Sequence, residues 1–429
     1  MNYEQTIDYL FTRLPMFSRI GKAAIKEDLT NTIVLCNYLE NPQKKFKCVH
    51  IAGTNGKGSV SHMLAAILQT AGYTTGLYTS PHLKDFRERI RVNGEMISRD
   101  AVTVFTEKIK PVIEKIDPSF FEITVAMAFD YFAEQRVDIA VIETGLGGRL
   151  DSTNIVHPEI SVITNIGWDH MNLLGDSLEK IAFEKAGIIK QNVPVVIGQS
   201  TRETKPVFEK AAMDKSASLT MADQVREAMS WQWDKQELIV EVATRHKTDH
   251  KIYRLDLAGI YQTKNLLTVL ETCSRLQELG WKIEESHIQK GLRQVCKLTG
   301  LHGRWEVIGH HPKVVLDVAH NADGIGQLVE QIELTDRTQV HIILGMVKDK
   351  EIEKVLALLP HTAQYYFTQA HIPRAIDSAV LQSKALAAGL SGDIYPDVNT
   401  ALDIARNKAG KNDLVIVCGS VFLIGEVEG

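Results

Sequence analysis

The stretch HIAGTNGKGS, His50 to Ser59, decides how the rest of this chain is read. Before the loop, CVHIAG mixes β-branched and small residues as a buried strand does; after it, SVSHMLAAILQTAG places apolar residues at helical spacing. A glycine-rich loop therefore joins a strand to a helix N-terminus, where backbone N–H groups and the helix dipole attract an anion. Gly53, Thr54, Asn55, Gly56, Lys57, Gly58 and Ser59 form the candidate ATP-phosphate loop, with the glycines letting the backbone wrap closely and Lys57 aimed at the outer phosphates. The spacing departs from G-x-x-x-x-G-K-[ST], whose first glycine falls here on Ile51. Taken alone, the loop also fits a glycine-rich turn with no ligand.

At 429 residues the chain exceeds one ordinary core, and a figure of roughly 150 residues per domain suggests two or three domains. The net charge of -5 argues against binding nucleic acid through a global basic field. An anionic substrate must then be held by local clusters. Five cysteines, Cys36, Cys48, Cys273, Cys296 and Cys418, show neither CxxC nor zinc-like spacing, and their odd number fits a reducing compartment. The N-terminal MNYEQTIDYLFTRLPMF has no uninterrupted apolar stretch, and no run approaches transmembrane length. The expectation is a cytoplasmic protein without a membrane or nucleic-acid partner, acting as a monomer.

From Cys48 to about Gln199, strand-like runs (CVHIAG, TTGLYTS, VDIAVIET, EISVITN, VPVVIGQ) alternate with helical segments. Such alternation predicts an α/β fold with a mostly parallel sheet, in which functional loops follow the strands. TSPHLKD, ETGLGGRLDSTN and TNIGWDH are such loops. Residues 200 to 260 read as charged helical stretches followed by an antiparallel hairpin over ELIVEVATRHKTDHKIYRLDL. Two helical segments follow, and a second α/β series (VVLDVAHN, VHIILGM, QYYFTQ, LVIVCGS) begins after KLTGLHG. Residues 1–298 are thus expected to form an ATP-binding domain of P-loop type, and 299–429 a smaller Rossmann-like domain.

Glu143 ends its strand beside the phosphate loop, where a nucleotide-bound Mg²⁺ finds an oxygen ligand. A helix-capping Glu is the alternative. His170, with Asp169, follows the next strand, whereas Lys185 by spacing alone is a solvated lysine near a helix C-terminus.

Taken together, GTNGKGS, YTSP, ETGLGGRLDSTN, TNIGWDH, EKAGIIK, GIYQTKN, GRWE, DVAHN and CGSVFLIGE resemble the Mur-ligase superfamily, and within it the folylpolyglutamate synthase and bifunctional dihydrofolate synthase group. The resemblance covers nearly the whole chain in the family's order. It implies that ATP phosphorylates a substrate carboxylate and that the amine of L-glutamate attacks the acyl phosphate. It further implies two Mg²⁺ ions, one held by Ser80 and Glu143 and a second by His170, with a carbamylated Lys185 near the second. Gln262 and Asn265 fall on adenine-side positions, Arg304 and Asp317 on nucleotide contacts brought in by the second domain, and His320 and Ser420 on the glutamate side. Phe121, Glu122, Arg149, Leu150 and Asp151 match positions that contact dihydropteroate, although Asp151, His320 and Ser420 also read as turn or capping residues. The segment Met16–Leu29 occupies the pterin-side position but departs from the pattern.

Three other readings compete. A cell-wall Mur ligase would need a nucleotide-sugar pocket, which FEITVAMAF and RLDSTN disfavour. A P-loop small-molecule kinase would use Lys57 and Glu143 but not DVAHN, the GS element or Lys185. A nucleotide-regulated binding protein would use the loop without catalysis.

Overall fold

The structure, a computed structural model, describes residues 1–16, 28–245 and 250–428. Most of Met16–Leu29, residues 17–27, lies outside the described residues.

The five runs expected to pair in parallel do so. The first sheet comprises β1 (Lys47–Ala52), β2 (Thr75–Tyr78), β3 (Ile90–Val92), β4 (Glu95–Met96), β5 (Ile139–Glu143), β6 (Ile160–Ile163), β7 (Val195–Ile197) and β8 (Leu219–Met221), in the order β4-β3-β2-β5-β1-β6-β7-β8. Only β3 and β4 run antiparallel to their neighbours. β1 lies at the centre, and its residues after Lys47 are all buried, as a strand covered on both faces requires. The helix Lys57–Thr70 leaves the phosphate loop and buries every residue from Ser59 to Leu68. It packs against β5 and the helices Gln262–Glu278 and Glu285–Leu292. Because β5 and β6 flank β1 in register, the loops after all three strands meet at one sheet end.

Between residues 226 and 255 the expectation was incomplete. The hairpin β10 (Glu237–Thr244) and β11 (His250–Leu255) is present, but β10 also pairs with β9 (Arg226–Asp234), so the element is a three-stranded antiparallel sheet. Its apolar residues Leu238, Val240, Val242, Tyr253 and Leu255 join the core beneath the helix Gln262–Glu278.

The third sheet runs β12-β13-β17-β14-β15-β16, with β12 (Glu306–His310), β13 (Lys313–Leu316), β14 (Val340–Leu344), β15 (Gln364–Phe367), β16 (Gly392–Ile394) and β17 (Leu414–Cys418). All but β12 are parallel, the Rossmann-like arrangement expected from the second series. Among the described residues no helix is long and apolar enough to cross a membrane, and all five cysteines are free thiols.

Candidate active site

The phosphate loop is tied to the segment after β6. Thr54 N–H donates to the Asn165 carbonyl at 3.0 Å, Asn55 N–H to Asn165 Oδ1 at 2.8 Å, and Thr164 Oγ1 to the Asn55 carbonyl at 2.6 Å. Gly53 has φ +149°, and an added Cβ would collide with the Thr164 hydroxyl, so the loop turns where only glycine fits. Lys57 Nζ donates to the Gly53 and Thr54 carbonyls at 3.0 and 3.2 Å. In that position it lies folded over its own loop.

Lys185 reaches the same carbonyl. Its Nζ donates to Gly53 at 2.9 Å from the last turn of the helix Leu178–Ala186. The solvated lysine expected from spacing is instead 4% exposed. Burial, and next the charge of Lys57, lower its pKa to about 7.

Glu143 stands at the end of β5, 4% exposed, with Ser80 N–H 3.4 Å from its Oε2. Burial raises its pKa to about 7, against the pull of Lys57 and Arg304. A buried carboxylate with a single long hydrogen bond among the described residues is a good oxygen ligand for a cation, and Ser80, which lines the same cavity, carries a hydroxyl. His170, in the left-handed region at φ 51°, has a pKa lowered to about 3 by burial and by Lys350. The ring is therefore neutral at physiological pH, the form that ligates a metal. Among the described residues no group of three His, Cys, Asp or Glu side chains is placed to hold a metal ion by itself. The oxygen donors of Glu143 and Ser80 suit Mg²⁺, which commonly takes one or two carboxylates and completes its shell with phosphates and water.

The second domain closes the cavity. Arg304 lies over the phosphate loop, with its Nη2 3.3 Å from where a Cβ on Gly58 would sit. Asp317 lines the cavity but also organises it, accepting from Tyr261 Oη (2.8 Å), Trp305 N–H (2.9 Å) and Ala319 N–H (2.9 Å). His320 Nδ1 donates to the Val318 carbonyl at 2.8 Å, which turns Nε2 toward Asp169 at 3.7 Å. Asn265 faces the cavity and donates to Gln262 Oε1 at 2.8 Å; Gln262 is fully buried behind it and donates to Ser59 Oγ at 3.2 Å.

Several matched positions lie elsewhere. Ser420 is 3% exposed and caps the helix Val421–Gly425 through Phe422 N–H, while Val421 lines the cavity. Glu122 closes a capping box, accepting from Ser119 N–H at 2.6 Å and Asn31 Nδ2 at 3.2 Å. Arg149 is exposed and pairs with Glu184 at 2.9 Å, and Leu150 is half-buried. Asp151 is 5% exposed and accepts from Leu146 N–H and Thr153 N–H, so it fastens the loop 144–151. Phe121 packs over Gly145 of that loop. Gly148 presses on the carbonyls of Glu184 and Lys185, each 2.9 Å from where its Cβ would be. Gly148→Ala is expected to cost about 1–3 kcal/mol in denaturant unfolding, because two backbone carbonyls cannot step aside.

Sequence reading passed over Lys350, Asn321 and Asp323. Lys350 Nζ pairs with Asp169 Oδ1 at 2.6 Å across the two halves, Asn321 bonds Asn55 and Asp169, and Asp323 accepts from Trp168 N–H. Burial alone would push the Asp169 carboxyl up, but His320, Lys350 and His170 hold it well below the usual range. Lys350 follows β14 in MVKDKE, so the post-strand rule that found Glu143 could have found it.

Comparison with known proteins matches residues 51–273 to the Mur ligase middle domain and 303–421 to the Mur ligase glutamate ligase domain. The dihydrofolate synthase/folylpolyglutamate synthase of Bacillus subtilis is 35% identical over 419 residues, 95% of each chain. That of Escherichia coli K12 is 32% identical over 88% of this chain and 85% of its own. The solved structure of E. coli FolC in complex with DHPP and ADP superposes with a TM-score of 0.85 at 28% identity, covering 99% of this chain and 96% of that one.

Proposed function

The chain belongs to the Mur ligase family, in its dihydrofolate synthase/folylpolyglutamate synthase group, and we propose that it ligates L-glutamate to both dihydropteroate and a reduced folate. It is an ATP-dependent glutamate ligase. One observation supports the detailed reading: Lys57, Glu143, His170, Lys185, Arg304 and His320 line a single cavity between the two halves of one chain. The same observation supports a monomer as the catalytic unit, and five free thiols support a cytoplasmic setting.

In the proposed reaction an acceptor carboxylate oxygen attacks the γ-phosphorus and ADP leaves. The neutral amine of glutamate then attacks the acyl carbon, phosphate departs, and the nitrogen sheds a proton. Lys57 swings from the Gly53 and Thr54 carbonyls onto the phosphoryl oxygens, where its charge counts most in the transition state. Arg304 adds a second cation from the opposite wall, so phosphoryl transfer requires both halves to be in place. The loop 144–151 forms the acceptor side, with Phe121 over Gly145. Asp151 orders that loop, and His320 and Val421 border the glutamate side.

Ser80 and Glu143 would hold one Mg²⁺, and His170 with a carbamylated Lys185 a second. Bound there, the ions would neutralise phosphoryl charge. Glu143→Gln is expected to raise the Mg²⁺ concentration for half-maximal activity by about 10-fold or more, because a charged ligand is lost at nearly constant shape. A titration overlaying that of the parent would remove Glu143 from the metal site.

The deciding assay measures phosphate release from ATP with L-glutamate and either acceptor. Release should require glutamate and occur with both dihydropteroate and reduced folate. Turnover with reduced folate alone would restrict the chain to polyglutamate synthesis.

A further inference from the structure

A chain of hydrogen bonds runs from the core of β1 to the loop 144–151. His50 Nε2 lies 2.8 Å from Thr153 Oγ1, Thr153 Oγ1 lies 2.5 Å from Asp151 Oδ1, and Asp151 Oδ2 accepts from Leu146 N–H at 2.8 Å. His50 and Thr153 are fully buried.

The available hydrogens fix its direction. As a carboxylate Asp151 only accepts: each oxygen takes a backbone N–H, and Oδ1 also takes the single Thr153 hydroxyl hydrogen. His50 must then donate from Nε2, which leaves Nδ1 unprotonated. Among the described residues that atom is buried without a hydrogen-bond partner. An unsatisfied ring nitrogen is a standing cost in the core, and a phenyl ring would fill the space without it. Packing therefore does not account for a histidine here; its donor to Thr153 does.

We propose that His50 and Thr153 are positioning residues for the acceptor carboxylate, acting through Asp151 on the cavity-lining backbone of Gly145, Leu146 and Gly147. This rests on the reading of that loop as the acceptor side. His50 stands three residues before Gly53 on the strand that delivers the phosphate loop. The chain thus fixes the height of one reactant's loop relative to the other's.

The test compares Thr153→Val, Thr153→Ser, His50→Phe, Asp151→Asn and the His50→Phe/Asp151→Asn double variant in the full-length protein. The readouts are KM for dihydropteroate, KM for ATP, and the ¹⁵N spectrum of the His50 ring in the parent. Thr153→Val and His50→Phe are expected to raise the dihydropteroate KM about 10-fold, as loss of an outer supporting hydrogen bond typically does, with ATP KM nearly unchanged. Thr153→Ser should restore the parent value, the double variant should be no worse than Asp151→Asn alone, and His50 should carry its proton on Nε2. Equal changes in both KM values, additive losses in the double variant, or a proton on Nδ1 would overturn the proposal. If Asp151→Asn leaves the dihydropteroate KM unchanged, the acceptor reading of the loop fails and takes this role with it, even where the ring spectrum confirms the bonding. Should His50→Phe not fold, Thr153→Val, which conserves volume, decides the matter.

Discussion

Replacing Lys57 with alanine is expected to lower turnover by about 10³-fold or more while the melting temperature stays within a few degrees of the parent. The magnitude follows from charge: removing one preorganised donor at a transition state costs about 10²–10³-fold, and cations on a transferring phosphoryl group can be worth more. Stability should barely respond, because among the described residues Lys57 Nζ bonds carbonyls of its own loop, three and four residues away. The Gly53 carbonyl would still receive Lys185. Phosphate release under saturating substrates, beside a thermal melt, checks both halves of the statement. Activity within about 10-fold of the parent would contradict a transition-state role for the lysine.

Elements whose burial repeats along the chain were legible in the sequence, and elements set by local or distant partners were not. β1, β2, β5, β6 and β7 are short apolar runs bounded by turns, so they stand out. β3 and β4 have three and two residues, too few for any period to show. β9, REAMSWQWD, is largely exposed at an edge, and its polar content reads as a solvated helix. The same division runs through the site. Glu143 and His170 follow strands, so topology reveals them, but the burial of Lys185 depends on the phosphate loop, far away in sequence. Around Lys185 the Glu- and Lys-rich helix suggests solvent. Glu122, Asp151 and Ser420 show the converse, since a polar residue at a helix start or turn is engaged first by nearby backbone N–H groups. Lys350 and Asn321 also follow strands, so the same rule marks them as candidates, but their partners in the site lie across two sheets far apart in sequence, and no local pattern announces that meeting.

Lys185→Ala is the second large effect expected, with turnover reduced by about 10²-fold or more and partly restored by small carboxylic acids. Two ammonium groups cannot share the Gly53 carbonyl cheaply, and Lys185 is the buried one of the pair. With its pKa lowered to about 7, a large fraction of the side chain is neutral at pH 7, against about one part in 10³ for an ordinary lysine. A neutral amine adds CO₂ and releases one proton, giving a carbamate that keeps one N–H for the Gly53 carbonyl. The carbamate carries a negative charge at a point facing Lys57 and His170, where it would offset cations and ligate a metal. The pH dependence has a definite sign: as pH falls through about 7 the amine takes a proton, so carbamate and activity should decline together. With ¹³CO₂, nucleotide and Mg²⁺, the parent should show a carbamate carbon signal that Lys185→Ala lacks. Full activity in Lys185→Ala, or a fully active parent in CO₂-free buffer with no carbamate signal, would leave Lys185 as a buried loop-anchoring lysine.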